Sequence, residues 1–451
     1  MKLLSTLVVS LLAASALQAQ TIEVPRLNDS VTVQVDANGI PTIIGETEVD
    51  VSFVKGYLHA KDRFFQMDYL RRIASGTLAE MLGAPALAND IQLRTLGLRR
   101  AAWATFAELD QSEKGALKAY VDGVNFYIDN NPLPPEYGAL ELSMAEPWSS
   151  VDSLVVGKLL AFQLSFDQSL SDIGNTIQIG TYQAVGDAAG FDGTALYLQD
   201  LNPFIPVDGR LSIPDWFDRI GIVVPEAASE SALTAAGDAA TPLKPSLAQL
   251  DADAAQVDDM GRISASTVEL ARKYREKVAD LPFLNQGYDI GSNWWAVSGE
   301  HTASGYPLFA NDPHLQLSMA PIFMNENVVI RDEDVVISGV AFAGAPVNAQ
   351  ACTDFFCWGS TVNRMDVTDV FEDQILVNNL GLPTHTVHDG VPEPIVYAFQ
   401  TYFVNNPGSG TADDVTRANG GYDQGGITFI VPRRNNGPIV ELLGDTALTV
   451  Q

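Results

Sequence analysis

Tyr288-Asp-Ile-Gly-Ser-Asn-Trp-Trp-Ala-Val-Ser-Gly299 is the stretch on which the reading of this chain turns. Here the pair Gly291-Ser292 opens an apolar, strand-like run, and a long segment poor in core-forming residues precedes it. That order suits a precursor that cuts itself. If the Gly291-Ser292 bond is broken, Ser292 becomes an N-terminus whose hydroxyl lies close to its own α-amine. The amine's ordinary pKa, about 7.7 to 8.0, lets it accept a proton near neutral pH, so one residue supplies both nucleophile and base. Taken alone, a Gly-Ser pair before an apolar strand is also an ordinary turn.

The residues around it narrow the choice. Gly291-Ser-Asn-Trp-Trp-Ala-Val-Ser-Gly299 and Thr302-Ala-Ser-Gly-Tyr-Pro-Leu-Phe-Ala-Asn-Asp-Pro-His-Leu315 resemble the start of the β chain of the penicillin acylase family of N-terminal-nucleophile hydrolases. Upstream, Asp36-Ala-Asn-Gly-Ile-Pro41, Gly56-Tyr-Leu-His-Ala-Lys-Asp-Arg-Phe-Phe-Gln-Met-Asp-Tyr-Leu-Arg-Arg72, Gly76-Thr-Leu-Ala-Glu-Met-Leu-Gly83 and Arg94-Thr-Leu-Gly-Leu98 resemble its α chain. Gly339-Val-Ala-Phe-Ala-Gly-Ala-Pro346 and Trp358-Gly-Ser-Thr-Val-Asn363 resemble later β-chain blocks. The resemblance covers most of residues 30 to 215 and 285 to 451, in the family's order. It implies an α+β fold with a four-layer αββα core and a large helical α-chain region. It further implies α and β chains cut from one precursor and kept together as a heterodimer, acting on a small-molecule N-acyl amide without an organic cofactor.

Site residues follow from the same resemblance, position by position. Ser292 matches the nucleophile, and Gly291-Ser292 the self-cleaved bond. His314 stands where acyl-homoserine-lactone acylases and cephalosporin acylases carry a histidine, and is expected to orient the Ser292 amine or hydroxyl. Leu315 matches a residue lining the acyl pocket, with a plain core leucine as the alternative. Val362 matches the position whose backbone N–H is the first oxyanion donor. The family's second donor, an asparagine, and a nearby arginine belong further along the β chain; the run Thr446-Ala-Leu-Thr-Val-Gln451 reads as a strand, so the chain is expected to be an N-terminal part of a longer precursor. Ser171-Asp-Ile-Gly-Asn175 and Asp366-Val-Thr-Asp369 resemble the segments that bind calcium in penicillin G acylases, which points to Asp172, Asp366, Thr368 and Asp369 as ligands. A hard cation takes six to eight oxygens, which such side chains supply. In a chain with 56 acidic residues, solvated loop carboxylates are the alternative. The His314 context favours N-acyl-homoserine lactones as substrates, with penicillins or cephalosporins as the alternative; a non-catalytic exported protein that kept the fold is the reading from a different class.

Composition is compatible with this. With 451 residues and 46% hydrophobic content, the chain has material for a sizeable core. A net charge of -30 opposes binding to nucleic-acid phosphates. Residues 1–19 carry Lys2, an apolar run from Leu3 to Leu12, and small residues ending at Ala16 or Ala19, the pattern of a secretory signal, which implies a periplasmic or secreted protein. The two cysteines, Cys352 and Cys357, would bridge in an oxidising compartment or remain two buried thiols.

Periodicity divides the chain. Residues 22 to 46 alternate as paired strands around Asn38-Gly-Ile-Pro41. Helical spacing marks Asp50 to Leu82, Gln111 to Ile128 and Ser150 to Leu164, so that the α-chain region, 20–224, is mainly helical. From Pro225 to about Arg262 the chain is rich in Ala, Ser and Asp, and no aromatic residue occurs between Phe217 and Tyr274. Residues 225–291 therefore read as a spacer between chains, or as a solvated linker. From Ser292 to Gln451 strand patterns dominate. There is no Gly-x-Ser-x-Gly elbow and no Walker loop; His385-Thr-Val-His388 lacks the glutamate and helical context of a metal pair, and Trp294-Trp295 reads as strand packing beside the site.

Overall fold

The computed structural model describes residues 18–22, 27–165, 172–201, 261–279, 281, 291–315, 320–361, 368–418 and 426–451. Its first half opens with β1 (Gln18–Ile22), β2 (Val31–Val35) and β3 (Pro41–Gly45), an antiparallel set. The expected turn is present: the Asp36 carboxylate accepts from the N–H groups of Asn38 and Ile40, and Gly39 takes a left-handed φ of 83°. Cleavage after Ala16 would leave β1 whole, whereas cleavage after Ala19 would trim it.

The helices are α1 (Glu48–Ser75), α2 (Ala79–Leu82), α3 (Leu87–Leu96), α4 (Leu98–Glu108), α5 (Gln111–Asn130), α6 (Pro135–Ala139), α7 (Ser150–Ser165), α8 (Ile173–Ala189), α9 (Gly193–Leu201) and α10 (Ala265–Ala279), of which α1, α2, α5 and α7 fall where the spacing predicts them. Their ends have physical causes. The Thr47 hydroxyl accepts from the Asp50 N–H to cap α1, and Gly76 stops it at φ 64°. Asp110 and Glu113 form a reciprocal capping box on α5. Helices α1 and α5 approach so closely that a β-carbon at Gly56 would collide with the Tyr120 carbonyl oxygen, and one at Gly123 with that of Phe53. Glycine at these two positions is what lets the pair of helices form.

The second half is strands: β4 (Gly291–Val297), β5 (Leu308–His314), β6 (Phe323–Ile330), β7 (Val335–Phe342), β8 (Asn348–Cys352), β9 (Cys357–Trp358), β10 (Val370–Val377), β11 (Pro383–His388), β12 (Val391–Pro394), β13 (Val396–Phe399), β14 (Phe403–Asn405), β15 (Val415–Arg417), β16 (Ile427–Val431), β17 (Gly437–Leu443) and β18 (Thr446–Val450). One seven-stranded sheet runs β1-β2-β3-β6-β7-β8-β9, and another β12-β11-β10-β18-β17-β16-β13. Each carries helices. Val31, Val33, Ile43, Val328 and Ile330 of the first pack against Val51, Val54 and Leu58 of α1. Val440, Leu448 and Val450 of the second pack against Leu270, Tyr274 and Val278 of α10 and Ile173 and Ile177 of α8. The α+β class is as expected, with helix-on-sheet layers built on both large sheets.

Two features differ from the sequence reading. The expected spacer, 225–291, is not uniform: most of it lies outside the described residues, but α10 falls within it as a packed helix. Leu270, Tyr274 and Val278 recur every four residues and are buried, so 265–279 builds core despite the aromatic-poor surroundings. The first large sheet also mixes the two expected chains, because β3 pairs in parallel with β6, Ile43 opposite Val328.

That mixed seam is held by buried charge. Lys55 and His59 of α1 meet Glu326 of β6 at 2.5 and 3.0 Å, and Asn348 donates to the same carboxylate at 3.0 Å. The other ring nitrogen of His59 lies 2.8 Å from the Tyr120 hydroxyl, which accepts from the Gly344 N–H. Burial raises the Glu326 pKa, but Lys55 and His59 outweigh it and hold the carboxyl down to about 2. Every partner is satisfied by another, and they come from both sides of the Gly291-Ser292 bond.

Candidate active site

Ser292 is the second residue of β4, which pairs with β5 in a two-stranded sheet separate from both large ones. The register sets Gly291 opposite His314, Ser292 opposite Pro313, Asn293 opposite Asp312 and Trp294 opposite Asn311. Because side chains alternate along a strand, Ser292, Trp294, Phe309 and Asn311 share one face, and Asn293, Trp295, Asp312 and His314 the other. Trp294 and Trp295 are thus strand residues on opposite faces, each about half exposed, with Trp294 edge-on to Phe309.

On the second face the His314 Nε2 lies 2.9 Å from the Asp312 carboxylate and 3.4 Å from the Asn293 side-chain nitrogen. Its ladder partner is Gly291. His314 thus lies on the face of the hairpin opposite the Ser292 side chain, its ring against Asp312 and Asn293.

On the first face a second segment comes in. Cys352 and Cys357 are joined in a disulfide across the β8–β9 hairpin, so of the two states open from the sequence the bridged one is present. Past β9, residues 359–361 lie against β4 and β5. The Asn311 side-chain amide donates to the carbonyls of Asn293 (3.1 Å) and Ser360 (2.9 Å), and its oxygen accepts from the Ser360 N–H (2.8 Å). Pro313, opposite Ser292, has no N–H to offer. The Ser292 carbonyl instead accepts from the Thr361 hydroxyl at 2.9 Å. Gly359 is required at this crossing, since a β-carbon there would collide with the Asn311 side chain and lie 2.8 Å from Trp294.

Of the remaining expected residues, Val362 and Asp366 lie outside the described residues, and Leu315 is half-buried directly after β5. The Thr368 hydroxyl donates to the Asp172 carboxylate, joining the start of α8 to the residues before β10. Asp369 extends the β10–β18 ladder, its N–H and carbonyl paired with Gln451 at 3.2 and 3.0 Å. Asp172 and Thr368 are hard oxygen donors in contact, which fits calcium chemistry. Among the described residues no group of three or more His, Cys, Asp or Glu side chains stands close enough to hold a metal. His385 and His388 sit on β11, three residues apart and so on opposite faces. No helix among the described residues is long and apolar enough to cross a membrane.

Asn311, Ser360 and Thr361 are the members of the site that the sequence reading left without roles. Asparagine is disfavoured inside strands, and Asn311 amid Leu308-Phe-Ala310 is the one signal that pointed to a task beyond packing.

The family model described as penicillin amidase matches residues 30–449. An acyl-homoserine lactone acylase, QuiP, of Pseudomonas aeruginosa is 28% identical over 380 residues, 84% of this chain and 38% of that protein. The penicillin acylase 2 proenzyme of Pseudomonas sp. is 42% identical over 134 residues, 29% of this chain and 17% of that protein. The penicillin G acylase of Escherichia coli is 25% identical over 392 residues, 82% of this chain and 43% of that protein. The chain spans less than half the length of these relatives. The match nonetheless runs from β2 to β18 through the Ser292 hairpin, and this chain belongs to the penicillin amidase family.

Proposed function

We propose that this chain carries the nucleophile of an exported, self-processing amidohydrolase that cleaves N-acyl-homoserine lactones. The observation that supports the reading most is the anchoring of Ser292: its carbonyl is held by Thr361 and the next one by Asn311, fixing the backbone on the C-terminal side of the bond to be cut. In the precursor the Ser292 hydroxyl attacks the Gly291 carbonyl carbon, the C–N bond breaks to leave an ester as the nitrogen takes the hydroxyl proton and becomes the free Ser292 amine, and water then hydrolyses the ester to the Gly291 carboxylate and the Ser292 hydroxyl. In the mature enzyme this amine takes the hydroxyl proton as the oxygen attacks the substrate amide, then passes it to the departing amine. Water then releases the acyl group from Ser292. The Val362 N–H serves the developing oxyanion, His314 with Asp312 stands at the amine end, and Leu315 lines the acyl pocket. Asp172, Asp366, Thr368 and Asp369 would hold a calcium ion, whose contribution is to tie the α-chain region to the β-chain region. Cleavage would leave the two chains joined through β3–β6 and the Glu326 seam.

The similarity to the P. aeruginosa acyl-homoserine lactone acylase over most of the chain supports the substrate class. Penicillins are the second reading, favoured by the higher identity to the Pseudomonas penicillin acylase proenzyme over a shorter stretch. The test is to express the complete reading frame and sequence the N-termini of the purified polypeptides by mass spectrometry. A chain starting Ser292-Asn-Trp-Trp supports the mechanism, and hydrolysis of N-octanoyl-homoserine lactone in preference to penicillin G supports the substrate. A single uncut chain overturns both.

A further inference from the structure

We propose that Asn311 is a positioning residue for Ser292, acting as a side-chain splice between the nucleophile hairpin and the 359–361 segment; the inference rests on Ser292 being the nucleophile. An asparagine amide presents one acceptor oxygen and two N–H donors, the complement of a peptide group. Here it pairs with both the N–H and the carbonyl of Ser360, as a neighbouring strand would, and reaches the Asn293 carbonyl as well. One residue on, Thr361 holds the Ser292 carbonyl. A single side chain thus sets the distance between the strand carrying Ser292 and the segment that grips it, where among the described residues β4 and β5 have no ladder to either large sheet.

The geometry is specific to asparagine. Aspartate keeps the acceptor for the Ser360 N–H but turns an ionised oxygen toward two carbonyls; alanine loses all three bonds. Gly359 offers an independent approach to the same splice, because a β-carbon there displaces the Asn311 amide without removing it.

The experiment compares the full-length precursor with its Ser292→Ala, Asn311→Ala, Asn311→Asp, Gly359→Ala and Asn311→Ala/Gly359→Ala variants. It reads the rate at which the chain beginning at Ser292 appears, the rate of Ser292 labelling by phenylmethanesulfonyl fluoride, and the melting temperature. A displacement of about 1 Å at a reacting group costs on the order of 10²-fold. Asn311→Ala and Gly359→Ala are each expected to slow processing and labelling by about that factor. The double variant is expected to fall well short of the product of the two, since both act on one splice. Asn311→Asp is expected to regain ground on the wild type as pH falls, because a protonated aspartate again donates to the Ser360 carbonyl. The melting temperatures of Asn311→Ala and Ser292→Ala should agree closely, which a merely structural role for Asn311 would not allow. Processing within two-fold of wild type in Asn311→Ala overturns the inference while leaving Ser292 as nucleophile. Should Asn311→Ala fail to fold, unimpaired processing in Gly359→Ala overturns it equally. If the wild type never yields a chain starting at Ser292, the reading of the nucleophile fails first and the inference falls with it.

Discussion

The Glu326 seam and the Ser292 hairpin reverse the usual placement of residues. In the seam, ionisable groups are buried: Glu326 is 2% exposed and His59 1%. In the hairpin, large apolar groups are open: Trp294 is 51% exposed and Trp295 50%. Buried charge is tolerable only where every group has a partner, and Lys55, His59, Asn348 and Tyr120 provide that closure. The hairpin is fastened instead by a few directed hydrogen bonds from Asn311 and Thr361. The two regions divide the labour. The seam joins segments on either side of Gly291-Ser292, the bond proposed to be cut, so the strand carrying that bond is free of the task of holding the molecule together.

The sharpest break of this comparison is Ser292→Ala. Under the proposed mechanism this deletes the covalent route, so processing and acylase activity of the full-length protein should fall by more than about 10³-fold, while stability stays within about 0.5 kcal/mol of wild type. Intact-mass analysis and urea unfolding check the two halves. A large loss of stability would mean that the hairpin carries structural weight after all.

The seam should respond in the opposite sense. Glu326→Gln leaves Lys55 buried without its carboxylate, an expected loss of roughly 3 to 5 kcal/mol in urea unfolding. Its dependence on pH follows from the depressed pKa. The stabilisation from the Glu326 carboxylate is complete above the unfolded carboxyl's value, about 4.3, and is lost as pH falls through that value toward about 2. The gap in melting temperature between wild type and Glu326→Gln should accordingly be widest above pH 5 and narrow in acid. A gap independent of pH would show that the charge of Glu326 is not what holds the seam.

How much of this could be read in the sequence depends on the range of the interaction. Helices α1, α5 and α7 and the β2–β3 hairpin were legible because apolar period, caps and turn residues lie within one element. The family was legible because the motif around Ser292 is contiguous. The seam was not: Glu326 in Asn325-Glu-Asn327 reads as an exposed polar position until β3 and β6 are paired, and no local pattern announces a parallel pairing across more than 280 residues. Helix α10 was missed for a related reason, since its four-residue spacing was outweighed by the aromatic-poor composition before it. Asn311 was quoted within a motif but acquired a task only once residues 359–361 were placed beside it.

The smallest expected effect concerns Trp295. Its ring is half exposed on the His314 face. Replacing it with serine removes apolar area that water already reaches in large part, so the expected cost is at most about 1 kcal/mol. A core residue of the seam sheet provides the contrast: Ile43→Ala, at a fully buried position, should cost about 2 to 5 kcal/mol. Both are measured by urea unfolding under identical conditions. If the two losses are equal, the Trp295 face of the hairpin is covered in solution, and the contrast between a buried seam and an open nucleophile strand collapses. If Trp295→Ser is nearly neutral for unfolding but alters processing, the tryptophan bears on the approach to Gly291-Ser292, beside Asp312 and His314, and the division between holding and cutting extends to the individual side chains of β4.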